Sequence, residues 1–122
     1  PVLICKGNCD SEVDQLVLNT PIQSPYVHAF ADGRHIVATH GHMVESDEAK
    51  EAMAAAIKAD IFISGHVHYT VLEKRGNTVF LNPGSPSLSK REDGRQTCAV
   101  ISDVDIKVYD VNTAEVLAEF KF

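Results

Sequence analysis

The sequence predicts a strand-rich α/β domain, and three observations carry that expectation. Two segments near the C-terminal end alternate with a period of two, as strands with one buried face do. In them Val104, Ile106 and Val108 alternate with Asp105, Lys107 and Tyr109, and Val116, Ala118, Phe120 and Phe122 with Leu117, Glu119 and Lys121. A single stretch, Ser46 to Ala59, has a clear helical repeat. The polar clusters fall at the ends of short apolar runs, where open α/β sheets gather ligands.

Taken in order, Val2 to Lys6 is a short apolar run closed by Gly7, which reads as a buried strand followed by a polar turn through Ser11. Glu12 to Leu18 has room for one or two helical turns, and Pro21 and Pro25 bracket a loop. Tyr26 to Ala31 and His35 to Thr39 are strands joined at Asp32-Gly33, a good hairpin turn. The helix at Ser46 starts with a capping serine and puts Asp47 and Glu48 at the positive end of its dipole. Ala49, Ala52, Met53, Ala56 and Ile57 are predicted to share its buried face. Asp60 to Ser64 is the next strand. Thr70 to Lys74 and Thr78 to Leu81 follow, joined at Gly76-Asn77. Asn82 to Gly94 is a Pro-, Gly- and Ser-rich loop. The last three strands are Thr97 to Ser102, Val104 to Val111 and Glu115 to Phe122.

Composition narrows the function. The chain has 122 residues, 44% hydrophobic and 23% charged, the size and make-up of one globular domain. Seventeen acidic against eleven basic residues leave a formal net charge of −6. That argues against non-specific nucleic-acid binding, which needs basic surface. No apolar run approaches the roughly 18 residues of a membrane span. Three cysteines do not make a disulfide framework, so a reducing cytoplasmic setting is expected. The chain opens at Pro1 and goes straight into an apolar run, so it is expected to be the C-terminal part of a longer protein.

Four of the six histidines form two His-x-His pairs, His40/His42 and His66/His68, each after an apolar strand and beside a glycine. Imidazole is the commonest metal ligand, and glycine lets the backbone turn tightly around an ion. Asn8 follows a glycine at the end of another strand and offers a neutral amide oxygen, suited to Mn, Zn or Fe beside histidines. His28 and His35 lack that context and read as partly exposed strand residues. Ser85, Ser87 and Ser89 have no His-Asp pair nearby and read as a solvated loop. Lys90, Arg91 and Arg95 read as a solvated basic cluster.

The strings Gly7-Asn8-Cys9-Asp10, Thr39-His40-Gly41-His42, Gly65-His66-Val67-His68 and Asn82-Pro83-Gly84-Ser85 occur in the order found in the metallophosphoesterase superfamily. The chain resembles that family over essentially its whole length, and most of all its small bacterial and archaeal phosphodiesterases. The resemblance implies a four-layer α/β/β/α sandwich, incomplete at its N-terminal side, and a binuclear site that hydrolyses small phosphodiesters through a metal-held hydroxide. It implies that Asn8, His40 and His66 bind one divalent cation and His68 the other, with Mn2+ first and Zn2+, Fe2+ or Ni2+ as alternatives. His42 is left to the substrate phosphate or to support of a ligand.

Two departures from the family pattern matter. The family's opening Asp-x-His and Gly-Asp strings, whose carboxylates complete and bridge the metal pair, do not occur in these residues. The four ligands named here are neutral, a poor match for two divalent cations. A complete site is therefore expected to need a preceding segment. The second departure is Cys9, which stands where many relatives have a histidine that protonates the leaving group. A thiol is a weaker acid at neutral pH than an imidazolium. Activated or aryl diesters are therefore the expected substrates. Cys9 otherwise reads as a small buried filler, and Asp10 as orienting the turn or a metal-bound group, or as a cap for the following helix. Two other functions stay open: a non-catalytic protein-interaction scaffold of the same fold, and a structural zinc site using Cys9 with a histidine pair. A homo-oligomer also remains open.

Overall fold

The computed structural model describes residues 1–122. Its order is β1 (Ile4–Cys5), α1 (Glu12–Val17), β2 (Ile22–Gln23), β3 (Val27–Ala31), β4 (Arg34–Thr39), α2 (Asp47–Ile57), β5 (Ile61–Ser64), β6 (Thr70–Arg75), β7 (Thr78–Pro83), β8 (Thr97–Ile101), β9 (Asp105–Asp110) and β10 (Val116–Lys121). Five strands form the central sheet in the order β3-β4-β5-β7-β6; β4, β5 and β7 run parallel, and β3 and β6 pair antiparallel at the two edges. A three-stranded antiparallel sheet, β10-β9-β8, lies against one face. Residues of β1 and β2 make a separate parallel pair.

The central strands are apolar on both faces, as parallel strands covered on two sides must be. Val37, Phe62 and Phe80 face α2 and meet Ala54 and Ala59. Ile61, Val79 and Leu81 face the second sheet and meet Ile106 and Val108. Phe62 is fully buried, which contributes roughly 1.5–3 kcal/mol relative to an exposed ring. Ser46 caps α2 by accepting the Ala49 N–H at 3.1 Å. At the other end Lys58 turns left-handed, and Ala59 N–H closes on the Ala54 carbonyl at 2.9 Å. Arg75 of β6 lies over the Phe80 ring at 4.0 Å and pairs with Asp47 and Glu51 of α2, tying the helix to the sheet edge. No helix is long and apolar enough to cross a membrane.

The α, β, β succession of the expected sandwich is present as α2, the five-stranded sheet and the three-stranded sheet. The outer face of the three-stranded sheet is open at Cys98 and Val100, and α1 has six residues and none buried. Four local expectations change. The inward face of α2 is Met53, Ala54 and Ile57, while Ala52 and Ala56 are exposed. With an alanine at four of the five positions from 52 to 56, apolar spacing does not fix the rotation of the helix. In the C-terminal strands Ile106, Val108, Ala118 and Phe120 turn inward, but Val104, Val116 and Phe122 are exposed. The β9–β10 register shifts between Val116 and Ala118, which takes Val116 off the inward face. Val104 and Phe122 lie just outside the strands, and Phe122 is covered by the Arg34 guanidinium at 3.6 Å. The first run is a two-residue strand with Val2 and Leu3 exposed, not a buried strand. Between Pro21 and Pro25, Ile22 and Gln23 pair with it instead of forming plain loop.

Candidate metal centre

The parallel strands deliver their histidines to one end of the sheet. Thr39 ends β4 and Ser64 ends β5, in register with each other, so His40 and Gly65 leave side by side. Gly65 N–H donates to the His40 carbonyl at 2.8 Å. The two loops cross closely at Gly41 (φ +109°), where an added Cβ would lie 3.1 Å from the Gly65 carbonyl oxygen. Buried Asn82, near the end of β7, donates its amide to the same Gly65 carbonyl at 3.4 Å. His66 and His68 are both left-handed, at φ +72° and +57°, so the backbone curls around the residues that carry the rings. The turn after β1 closes from the other side. Asp10 Oδ2 accepts the Gly7 N–H at 2.7 Å, and Gly7 packs so tightly on the His40 ring that a Cβ would sit 3.3 Å from Nε2.

Together these segments line an open depression of about 420 Å³ bounded by Cys5, Asn8, Cys9, Asp10, His40, His66 and His68. The four residues expected to ligate metal thus share one hollow. The His40 and His66 rings lie 5.2 Å apart between centroids. His42 does not line the hollow; its Nδ1 hydrogen-bonds His40 Nδ1 at 3.1 Å. Asp10 is engaged in the turn, and Ser11 occupies the cap of α1. Cys9 is exposed at the hollow, which removes the buried-filler reading. Ser85, read as solvated, is only 7% exposed and accepts hydrogen bonds from Ser87 N–H and Leu88 N–H. Arg91 pairs with Asp93, and Arg95 with Asp93, Asp110 and Glu115, so the basic cluster is largely neutralised internally.

Two residues at the site escaped the sequence reading. Cys5 lines the hollow as the last residue of β1. Glu45 places Oε1 3.2 Å from His66 Nε2. Cys5 had a signal, its position just before the Gly7 turn; Glu45 had none, because the contact arises only when two loops meet.

Electrostatics favour a neutral His40 ring. Burial pushes the affinity of His40 for a proton below the ordinary imidazole value, and the neighbouring His66 and His42 push it the same way. Neutral imidazole is the metal-binding form. Burial likewise raises the Cys5 thiol above its usual range. The donors present, imidazole nitrogens and an amide oxygen in one hollow, are of the kind that borderline divalent cations accept. As placed they close around no ion: no three His, Cys, Asp or Glu side chains converge to hold one cation, let alone two, and the one carboxylate lining the hollow, Asp10, already binds Gly7. A larger depression of about 540 Å³ beside the C-terminal end of α2 has no imidazole or thiol in its lining.

Comparison with known proteins gives a consistent result. A family model described as the calcineurin-like phosphoesterase superfamily domain matches residues 1–106. Phosphodiesterase YfcE of Escherichia coli K12 is 33% identical over 118 residues, which are 97% of this chain and 61% of that protein. The chain therefore spans about three fifths of the length of the curated relatives it matches. The solved structure of the E. coli phosphoesterase Yfce superposes with a TM-score of 0.79 at 28% identity, over 98% of this chain and 63% of that one. The zinc complex of Vps29 from Entamoeba histolytica superposes with a TM-score of 0.68 at 22% identity, over 98% of this chain and 68% of that one, a likeness of fold.

Proposed function

The chain belongs to the calcineurin-like phosphoesterase superfamily, and on that footing we propose that it carries the histidine side of a metal-dependent phosphodiesterase site acting on small phosphodiesters. The observation that supports this most is the shared hollow, to which the ends of β1, β4 and β5 bring Asn8, His40, His66 and His68. These four residues would hold the cation side of the site, with Mn2+ as the first candidate. A bound divalent cation would neutralise phosphoryl charge and lower the pKa of attacking water. The chain's own residues do the rest. His40 is kept neutral by burial and by its imidazole neighbours, so it is ready to donate without first losing a proton. His42 holds the His40 ring from behind, and Glu45 does the same for His66. Cys9 is exposed at the hollow and stands at the motif position where many relatives carry a leaving-group histidine; a thiol there would protonate a leaving group poorly at neutral pH. The reading therefore favours diesters with good leaving groups.

The test is manganese-stimulated hydrolysis of bis(p-nitrophenyl) phosphate by the purified gene product that contains this chain. His66→Ala or Asn8→Ala should lower turnover at least about 100-fold, beyond the usual cost of losing a residue that merely supports a ligand. Full turnover in both variants would remove these residues from the site. The exposed apolar residues Val13, Leu16 and Val17 of α1 favour a second reading, a protein-interaction scaffold. It predicts no turnover with any divalent metal.

A further inference from the structure

The loop after β7 reaches back to one histidine and holds it at two points. His68 Nδ1 lies 2.9 Å from the Leu88 carbonyl oxygen, and Lys90 N–H donates to the His68 carbonyl at 2.8 Å. A carbonyl only accepts, so Nδ1 is the donor, and in the neutral ring Nε2 carries the lone pair. His66 is fixed in the opposite sense: its Nε2 faces the Glu45 carboxylate, which also only accepts, so there Nε2 carries the proton. His40 and His42 face each other through Nδ1 atoms that can exchange donor and acceptor roles.

The Leu88 carbonyl is itself held in place. Leu88 N–H donates to Ser85 Oγ at 2.9 Å, and Ser87 N–H to the same oxygen at 3.3 Å. Ser85 is fixed by the framework: its carbonyl accepts the Thr97 N–H of β8 at 3.0 Å. Just before it, Gly84 (φ +78°) passes so close to β8 that a Cβ would lie 2.1 Å from Thr97 Oγ1, which leaves only glycine there. Thr97 Oγ1 in turn donates to the Pro83 carbonyl at 2.7 Å. The path thus runs from β8 to Ser85, to the Leu88 peptide, to the His68 ring.

We propose that Ser85 is a positioning residue: by accepting the Leu88 N–H it fixes that residue so that the Leu88 carbonyl stays on His68 Nδ1, and so presets Nε2 as the nitrogen free to face the hollow. This rests on the reading of His68 as a cation donor, and two measurements separate the failures. In the metal-free protein, ring 15N shifts should show His68 as the Nδ1–H tautomer. Ser85→Ala should convert it to a mixture, and Ser85→Thr, which keeps the hydroxyl, should restore the single tautomer. In the same variants, calorimetric titration with Mn2+ should show affinity about tenfold weaker for Ser85→Ala and near normal for Ser85→Thr. Ser85→Cys, close in size but a weaker acceptor, repeats both measurements if the alanine variant does not fold. An unchanged His68 tautomer in Ser85→Ala and Ser85→Cys overturns the proposal. A shifted tautomer with unchanged Mn2+ affinity in both Ser85→Ala and His68→Ala leaves the serine clamp standing and removes His68 from the cation site.

Discussion

Two regions supply the candidate site, and they are built differently. His40, His66 and His68 follow parallel strands whose residues are buried on both faces between α2 and the second sheet. Asn8, Cys9 and Asp10 sit between a two-residue strand and a six-residue helix with no buried residue. In that segment Leu16 is 85% exposed and Val17 76%. The contrast teaches that the imidazoles are positioned by the core, whereas the amide is positioned by a turn whose internal bonds are Gly7 N–H to Asp10 Oδ2 and Asp10 N–H to the Gly7 carbonyl. Three of the four candidate donors thus follow strands of the buried framework, and the fourth lies on a segment with no buried residue.

The contrast is easiest to break at the core. Phe62→Ala should destabilise the fold by about 3–5 kcal/mol, measured by urea denaturation, because the ring contacts Phe80 and the α2 face with no exposed edge. A loss under about 1 kcal/mol would mean the sheet is less tightly packed than described. Cation binding sharpens the other side. At a hundredfold excess over its Kd, Mn2+ should stabilise the fold by about 2.7 kcal/mol. If Asn8 joins the imidazoles on the ion, hydrogen exchange at residues 7–10 should slow markedly more than exchange in β5. Equal slowing in both regions would count against the amide as a ligand.

A smaller effect follows from His40. Its affinity for a proton is lowered in the fold, so below about pH 6.5 the unfolded chain binds more protons than the native one. The stability contributed is present above that pH and is lost as pH falls through the folded value. In EDTA, the urea midpoint should drop between pH 7.5 and pH 5, and His40→Gln should reduce that drop. Smallest of all, Leu16→Ser should change stability by no more than about 0.5 kcal/mol, since the side chain meets water already. A large loss there would show that α1 is covered in solution.

Much of the architecture was legible because it rests on local rules. Asp32-Gly33 forms the two-residue hairpin its residues favour, with both φ angles positive. Ser46 caps the helix it begins. The strand-end histidines meet because β4 and β5 are neighbours in a parallel sheet, and the motif order pointed to that adjacency. What escaped depends on distance in sequence. The Ser85 carbonyl is held by the Thr97 N–H of β8, twelve residues further on, and Glu45 reaches His66 across two loops. The rotation of α2 was hidden by alanines that look equally apolar on every side. No residue type in the Val2–Cys5 run signals that its partner would be a strand as short as β2.

The chain also has a polarity with practical use. Asp32-Gly33 and Gly76-Asn77 turn at the end of the central sheet opposite the histidines, and neither glycine has a neighbour within 4 Å of where a side chain would begin. A fluorophore, an affinity handle or an inserted peptide grafted onto either bend would project into open water, a full strand length from the chemistry. Those two bends are the natural attachment points for anyone who needs to immobilise or label this protein without disturbing its working end.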